Sequence, residues 1–155
     1  MINLIAAVGQ HGEIGYQGRI PWLNDPNIVN VTKADLGWFA QQTAGGVLIV
    51  GAATYREMLT MGFTPQQRDV WQWDGGYPPK VMIDEIETQF PHRDIWIAGG
   101  AHTYRAFMPY VQRFYISRIP WTGRADRFFP ALFGSKRPVH GSDPELDFGD
   151  GRSRY

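Results

Sequence analysis

Cysteine is absent from the 155 residues, so the chain has no disulfide, no thiolate metal ligand and no cysteine nucleophile. That absence fits a reducing cytoplasm. An excess of one charge sign is also lacking: 15 basic side chains offset 15 acidic ones, and no run of Lys and Arg stands out. Without a basic footprint, a nucleic-acid partner is not expected. Long hydrophobic runs are missing too. The opening Met1-Ile2-Asn3-Leu4-Ile5-Ala6-Ala7-Val8 is apolar, but it has no basic n-region and is too short to span a bilayer. It reads as a buried strand of a soluble protein with no membrane partner. Serine is scarce and no Gly-x-Ser-x-Gly elbow occurs, which removes Ser-His-Asp chemistry. His11, His92, His102 and His140 show no metal-ligand spacing, so no metal site is expected.

What is present suits a folded core. Hydrophobic residues make up 43% of the chain and aromatic ones 14%, enough for one domain over residues 1–155. Residues 2–8 form an almost continuous apolar run ending at Gly9, the pattern of a strand covered on both faces. Similar runs lie at Val47-Leu48-Ile49-Val50, Val81-Met82-Ile83, Ile95-Trp96-Ile97-Ala98 and Phe114-Tyr115-Ile116. Helical spacing fills the intervals. Thr32 to Thr43 puts Leu36, Phe39 and Ala40 on one face, Thr54 to Met61 opens with a Thr54-x-x-Glu57 capping box, and His102 to Met108 stacks Tyr104, Phe107 and Met108. Strands alternating with helices predict an α/β fold with a mostly parallel sheet and helices on both faces. Phe63 to Pro79 reads as a long connection, and the chain turns polar after Pro130.

Several segments carry a functional reading beside a structural one. Glycine recurs at every third position from Gly9 through Gly12 and Gly15 to Gly18, directly after the first strand. The spacing does not match a G-x-G-x-x-G phosphate cradle, so the segment reads as a mobile lid or a plain surface loop. Asp35 has two readings. Thr32-Lys33-Ala34-Asp35 fits a capping box, which makes Asp35 a solvated helix-start carboxylate. Its helix face also carries Leu36 and Phe39, which places it at the edge of an apolar pocket where partial burial would raise its pKa. Gly99-Gly100 and Gly51-Ala52-Ala53-Thr54 each close a strand ahead of a helix. Such turns let backbone approach a ligand at the carboxyl ends of parallel strands, and glycine equally suits a tight turn.

Taken in order, these stretches resemble the dihydrofolate reductase family over about residues 1–130. The matching pieces are Ile2–Val8, Ile14-Gly15, Ile20-Pro21-Trp22, Ala34-Asp35-Leu36-x-Trp38-Phe39, Val47–Gly51 with Thr54, Ile97–Ala101 with Tyr104, and Arg124-Ala-Asp126 through Phe129-Pro130. The resemblance implies a twisted, mostly parallel sheet and reduction of 7,8-dihydrofolate to tetrahydrofolate by a reduced nicotinamide cofactor. It implies a catalytic Asp35 that holds the pterin, with a water near Trp22 as proton donor. Ile5, Ala6, Ala7, Leu36, Phe39, Met58 and Ala98 would contact the substrate, with Ser117 orienting the carboxylate. Ala7, Ile14, Gly15, Gly18, Ile20, Gly51, Thr54, Gly99, Gly100, Ala101, His102, Thr103 and Tyr104 would meet the cofactor. Residues 9–22 would form the lid, and the protein would act as a cytoplasmic monomer.

The chain departs from the family at several points. Ala52 and Ala53 stand where the family has basic residues, and Asp84 and Glu85 follow the third expected strand where it has a Ser-Arg-like turn. Lost cations and added carboxylates repel a 2′-phosphate, whereas a carboxylate there binds free ribose hydroxyls. The cofactor expected is NADPH with a weakened preference, extending to tolerance of NADH. The family's arginine for the folate glutamate should precede the third strand; Arg68 and Lys80 are substitutes that do not align with it. Residues 23–33 are longer than the family's link. Ser153-Arg154-Tyr155 resembles the start of its closing strand, which then stops and leaves a sheet edge exposed; lowered stability, an intermolecular pairing and a shortened chain are the readings. Two alternatives therefore stand: a same-fold reductase for another pterin or a pyrimidine, and a non-catalytic protein that kept the fold.

Overall fold

Apolar runs rich in Ile, Leu and Val must cover both faces of the strands they form, and here they do so by lining up side by side. The computed structural model describes residues 1–130. Its elements, in chain order, are β1 (Ile2–Val8), β2 (Glu13–Gly15), α1 (Val29–Thr43), β3 (Val47–Gly51), α2 (Ala52–Thr60), β4 (Asp69–Trp73), α3 (Pro79–Gln89), β5 (Ile95–Ile97), α4 (Ala101–Phe107), β6 (Arg113–Arg118) and β7 (Arg127–Phe128). Five strands make one sheet in the order β4-β3-β5-β1-β6, with every pairing parallel. β2 and β7 form a separate antiparallel ribbon. The α/β class and the mostly parallel sheet agree with the sequence reading.

Alternation along the strands sorts the side chains into two cores. Leu4, Val47, Ile49, Ile95 and Ile97 point to the face covered by α3 and α4, where Met82, Ile83, Ile86, Tyr104 and Phe107 meet them. Ile5, Leu48, Val50, Trp96 and Ala98 point to the other face, against Leu36 and Phe39 of α1 and Met58 of α2. Trp22, Ile28 and Ile119 form a third, smaller cluster beside the end of β1. Helices thus lie on both faces of the sheet.

Two elements differ from the sequence reading. Val81-Met82-Ile83 is not a strand but lies in α3. An apolar triplet fits either state, and the helix wins because Pro79 sits in its first turn and Met82, Ile83 and Ile86 then bury a single face. The missing strand is β4, within the stretch expected to be a connection. It is an edge strand, so Asp69 and Gln72 are exposed and no continuous apolar run marks it.

Neither expected capping box caps a helix. α1 starts three residues before Thr32, after a 3-10 turn at Pro26–Ile28 in which the Asp25 side chain accepts the Asn27 N–H. This turn occupies the elongated 23–33 segment. Thr32 Oγ1 donates back to the Ile28 carbonyl at 3.1 Å, and Asp35 is the seventh residue of the helix. α2 starts at Ala52 without a side-chain cap, which leaves Thr54 inside its first turn. The polar tail after Pro130, His140 and the expected closing strand lie outside the described residues.

Candidate active site

A cavity opens between β1, α1, α2 and the turn that follows β5. β1 contributes Ile5, Ala6 and Ala7, and α1 contributes Asp35, Leu36 and Phe39. Met58 and Thr54 face it from α2, Ala98 and Gly99 from the end of β5, and Tyr104 from α4. Ile14, Ile20 and Trp22 close it from residues 9–22. Among the described residues, Asp35 is the only carboxylate in this mainly apolar lining. The capping reading of Asp35 therefore gives way to the pocket reading. Helix α1 is anchored by Leu36 and Phe39 in the second core, and the same face carries Asp35 to the rim.

Tyr104 is buried, and its hydroxyl donates a 2.8 Å hydrogen bond to the carbonyl of Ile5. Burial raises the Tyr104 pKa well above the usual phenol range, and the negative charge of Asp35 adds to the rise. The phenol stays neutral as a donor, and Tyr104 and Asp35 line the same cavity. Trp22 is buried on the opposite side, its ring 5.7 Å from that of Trp121.

The turn after β5 is lined by backbone where side chains would intrude. Gly99 has φ +109°, and a Cβ there would lie 3.2 Å from the Tyr104 hydroxyl oxygen. A Cβ on Gly100 would meet Thr54 Oγ1 at 3.0 Å, and one on Gly51 would meet Thr103 Oγ1 at 3.3 Å. The Gly51 N–H donates to the Gly99 carbonyl at 2.8 Å, so the ends of β3 and β5 are joined. These glycines bring backbone rather than side chains to the carboxyl edge of the sheet, where a ligand can approach closely.

Not every residue singled out from sequence reaches the cavity wall. Gly51, Gly100, Ala101, His102 and Thr103 stand beside it at the strand ends and the start of α4. His102 is exposed with its ring 5.0 Å from that of Trp73. Ser117 is fully buried on β6 in register with Ala7 and does not line the cavity. Gly15 and Gly18 belong to the 9–22 segment outside the lining. Thr32, Trp38 and Met61 do line it and were missed. Helical spacing marks all three, since each lies three residues from Asp35 or Met58.

Segment 9–22 is tied down along its length. The Gly12 carbonyl accepts from Phe129 N–H, the Gly15 carbonyl accepts from Asp126 N–H, and Asp126 Oδ2 accepts from Gln17 N–H at 3.0 Å. Its first turn is held by Glu13, a carboxylate only 2% exposed.

Two expectations about charge move. Asp84 and Glu85 do not form a turn after a strand; they lie in α3, where Asp84 pairs with Lys80 and Glu85 accepts from the Tyr77 hydroxyl. The turn after β4 is Asp74-Gly75-Gly76, with Asp74 exposed and Oδ1 accepting the Gly76 N–H. Arg68, in turn, immediately precedes β4, which is the third strand of the main sheet along the chain. Its guanidinium donates to the carbonyls of Thr64, Gln66 and Ala40 and lies over the Phe63 ring. It faces a second cleft with Lys33, and Leu36 borders both clefts. Among the described residues no helix is long and apolar enough to cross a membrane.

Comparison with known proteins follows the same line. The family model described as dihydrofolate reductase matches residues 75–138. The dihydromethanopterin reductase of Methylorubrum extorquens is 29% identical over 128 residues, covering 83% of this chain and 89% of that protein. The dihydrofolate reductase of Buchnera aphidicola subsp. Acyrthosiphon pisum is 26% identical, covering 83% and 78%. That of Haemophilus influenzae is 24% identical, covering 84% and 79%.

Proposed function

We propose that the chain is a pterin reductase of the dihydrofolate reductase family and that it reduces 7,8-dihydrofolate to tetrahydrofolate with hydride from NADPH or NADH. The observation that carries the reading is Asp35, the one carboxylate among the described residues that line an apolar cavity bordered by Gly99.

A carboxylate in a water-poor pocket holds a flat ring that offers it N–H donors, and it favours the protonated form of that ring. Asp35 takes this role toward the pterin's amino and ring nitrogens. Leu36 and Phe39 pack against the ring from α1, with Ile5, Met58 and Ala98 as the remaining apolar walls. Trp22 positions the water that delivers the proton to the ring nitrogen next to the reduced carbon. Ser117, buried beside Ala7, orients the Asp35 side. The bound dinucleotide supplies the hydride. Gly99 and Gly100 hold it at the carboxyl edge of the sheet, Thr54 and Tyr104 border it, and residues 9–22 form the lid that excludes water.

The adenosine end of the cofactor falls near Ala52, Ala53 and the turn at Asp74. Two small neutral residues and a carboxylate give a 2′-phosphate no cation, which supports a weak preference for NADPH over NADH. At the other end, Arg68 supports a substrate whose tail carries a carboxylate. A second reading, reduction of dihydromethanopterin or another dihydropterin, is favoured by the relative from Methylorubrum extorquens.

The test is loss of reduced-nicotinamide absorbance with dihydrofolate and with dihydromethanopterin, using each cofactor. Turnover of dihydrofolate that disappears in Asp35→Asn is the expected result. Turnover of dihydromethanopterin alone selects the second reading, and no turnover of either by folded protein rejects both.

A further inference from the structure

Glu13 is the most completely buried carboxylate among the described residues, and the chemistry outlined above does not use it. Its two oxygens are fully committed. Oε1 accepts the His11 N–H at 2.8 Å, and Oε2 accepts the Thr122 hydroxyl at 2.6 Å and the Gly123 N–H at 3.3 Å. The Thr122 oxygen is itself 2.7 Å from His11 Nδ1. Since the Thr122 proton points at Glu13, Nδ1–H of His11 must donate to Thr122, and the three side chains form one directed chain of hydrogen bonds. Backbone reinforces the same junction: the Gly9 N–H donates to the Glu13 carbonyl at 2.9 Å, and the Gln10 N–H to the Trp121 carbonyl at 2.8 Å. A Cβ on Gly9 would fall 2.5 Å from Glu13 Oε1, so glycine at that position is what lets the carboxylate sit there.

This junction couples two stretches that are more than a hundred residues apart in sequence. The residue after Glu13 is Ile14, a wall of the cavity, and Trp121 at the start of the partner stretch packs on Trp22, another wall. We propose that Glu13 is a positioning residue of the reductase: with Thr122 it clamps the lid, residues 9–22, onto residues 121–123 in the arrangement that closes the cavity over the nicotinamide. The inference rests on the proposed reductase reading for its consequence in catalysis, but the clamp itself is a property of the fold. A charge-assisted acceptor held by three donors is worth more than a neutral one, which explains a carboxylate at a site otherwise suited to an apolar side chain.

The experiment uses the full chain and two variants, Thr122→Val and Glu13→Met, with two readouts. The first is tryptic cleavage after Arg19, an exposed residue within the lid, followed by mass spectrometry. The second is the split between KM for the reduced dinucleotide and kcat. The expected result is cleavage after Arg19 accelerated roughly tenfold in Glu13→Met, a smaller increase in Thr122→Val, and no further increase in the double variant. Cofactor KM rises in the same order while dihydropterin KM moves less. Unchanged cleavage in both variants overturns the clamp. Accelerated cleavage with unchanged cofactor KM overturns the positioning role. Thr122 is exposed, so its variant carries the test where Glu13→Met does not fold. Cleavage is read without turnover, so its outcome is separate from that of the wild-type activity assay.

Discussion

The hydroxyl of Tyr104 reaches the carbonyl of Ile5 at 2.8 Å, tying α4 to the middle of β1 at the wall of the cavity that holds Asp35. Both groups are buried, so the bond is not exchanged for water in the folded state. Tyr104→Phe removes one donor and leaves a buried carbonyl short of a partner. The expected cost is about 1 kcal/mol, read as a fall in Tm of about 3 °C. Reduction slows as well, because Tyr104 borders the proposed nicotinamide site.

Asp35→Asn keeps the shape of the site and removes the only carboxylate among its described residues. The rate of reduction falls by about a thousandfold at pH 7, with the loss in kcat rather than in cofactor KM. A variant that keeps a tenth of the activity contradicts the assignment.

Cofactor choice turns on the carboxyl edge beyond α2 and β4. The wild-type preference for NADPH over NADH stays below about a hundredfold, equivalent to roughly 2.7 kcal/mol. Asp74→Asn removes the carboxylate at the turn after β4 and raises kcat/KM for NADPH by about tenfold, with no gain for NADH. Substitution of Asp84 or Glu85, both engaged within or beside α3, leaves the ratio unchanged. Steady-state kinetics with each cofactor check all three statements.

Arg68 separates substrates by their tails. Its guanidinium is preset by the carbonyls of Thr64, Gln66 and Ala40, so binding a carboxylate requires little further ordering. Arg68→Lys raises KM for dihydrofolate by about tenfold and leaves KM for a dihydropterin without an acidic tail unchanged. Equal effects on both substrates would remove Arg68 from the tail site.

Glu13 also makes stability sensitive to acid. Burial alone would raise its pKa, but the hydrogen bonds from Thr122, its own backbone, His11 and Gly123 outweigh that and hold it below the ordinary 4.5. A folded-state pKa below the unfolded one contributes stability that is present above about pH 4.5 and is lost as pH falls through the folded value. Glu13→Gln is therefore less stable than wild type at pH 7, and the gap narrows as pH falls below 4. Urea denaturation across that range measures it.

The strands covered on both faces could be read from sequence and β4 could not. β1, β3, β5 and the centre of β6 are covered on both faces, so Leu48 and Ile49, which face opposite cores, must both be apolar. β4 pairs on one side alone, and its exposed Asp69 and Gln72 dilute the pattern to that of a loop. Val81-Met82-Ile83 shows the converse: an apolar triplet carries no period, and only Ile86 on the same helical face separates helix from strand. Without β4 in the pattern the charges around it cannot be placed: Asp84 and Glu85 fall in α3, Asp74 occupies the turn after the strand, and Arg68 immediately precedes it.

Residue order alone established the α/β class and the parallel sheet, because burial on two faces leaves a one-dimensional trace in each interior strand. It also brought forward Trp22, Asp35, Gly99 and Tyr104. The role of Asp35 is a different matter. Along the chain it is a carboxylate three residues after a threonine, equally suited to a helix start and to a pocket. Only the tertiary structure, by starting α1 at Val29 and seating Leu36 and Phe39 in the core, carries it to the cavity wall. Glu13 lay entirely beyond sequence reading, since its partners Thr122 and Gly123 are some 110 residues away. A hydrogen bond between distant segments leaves no periodicity in either, so it comes into view only once the chain has closed on itself.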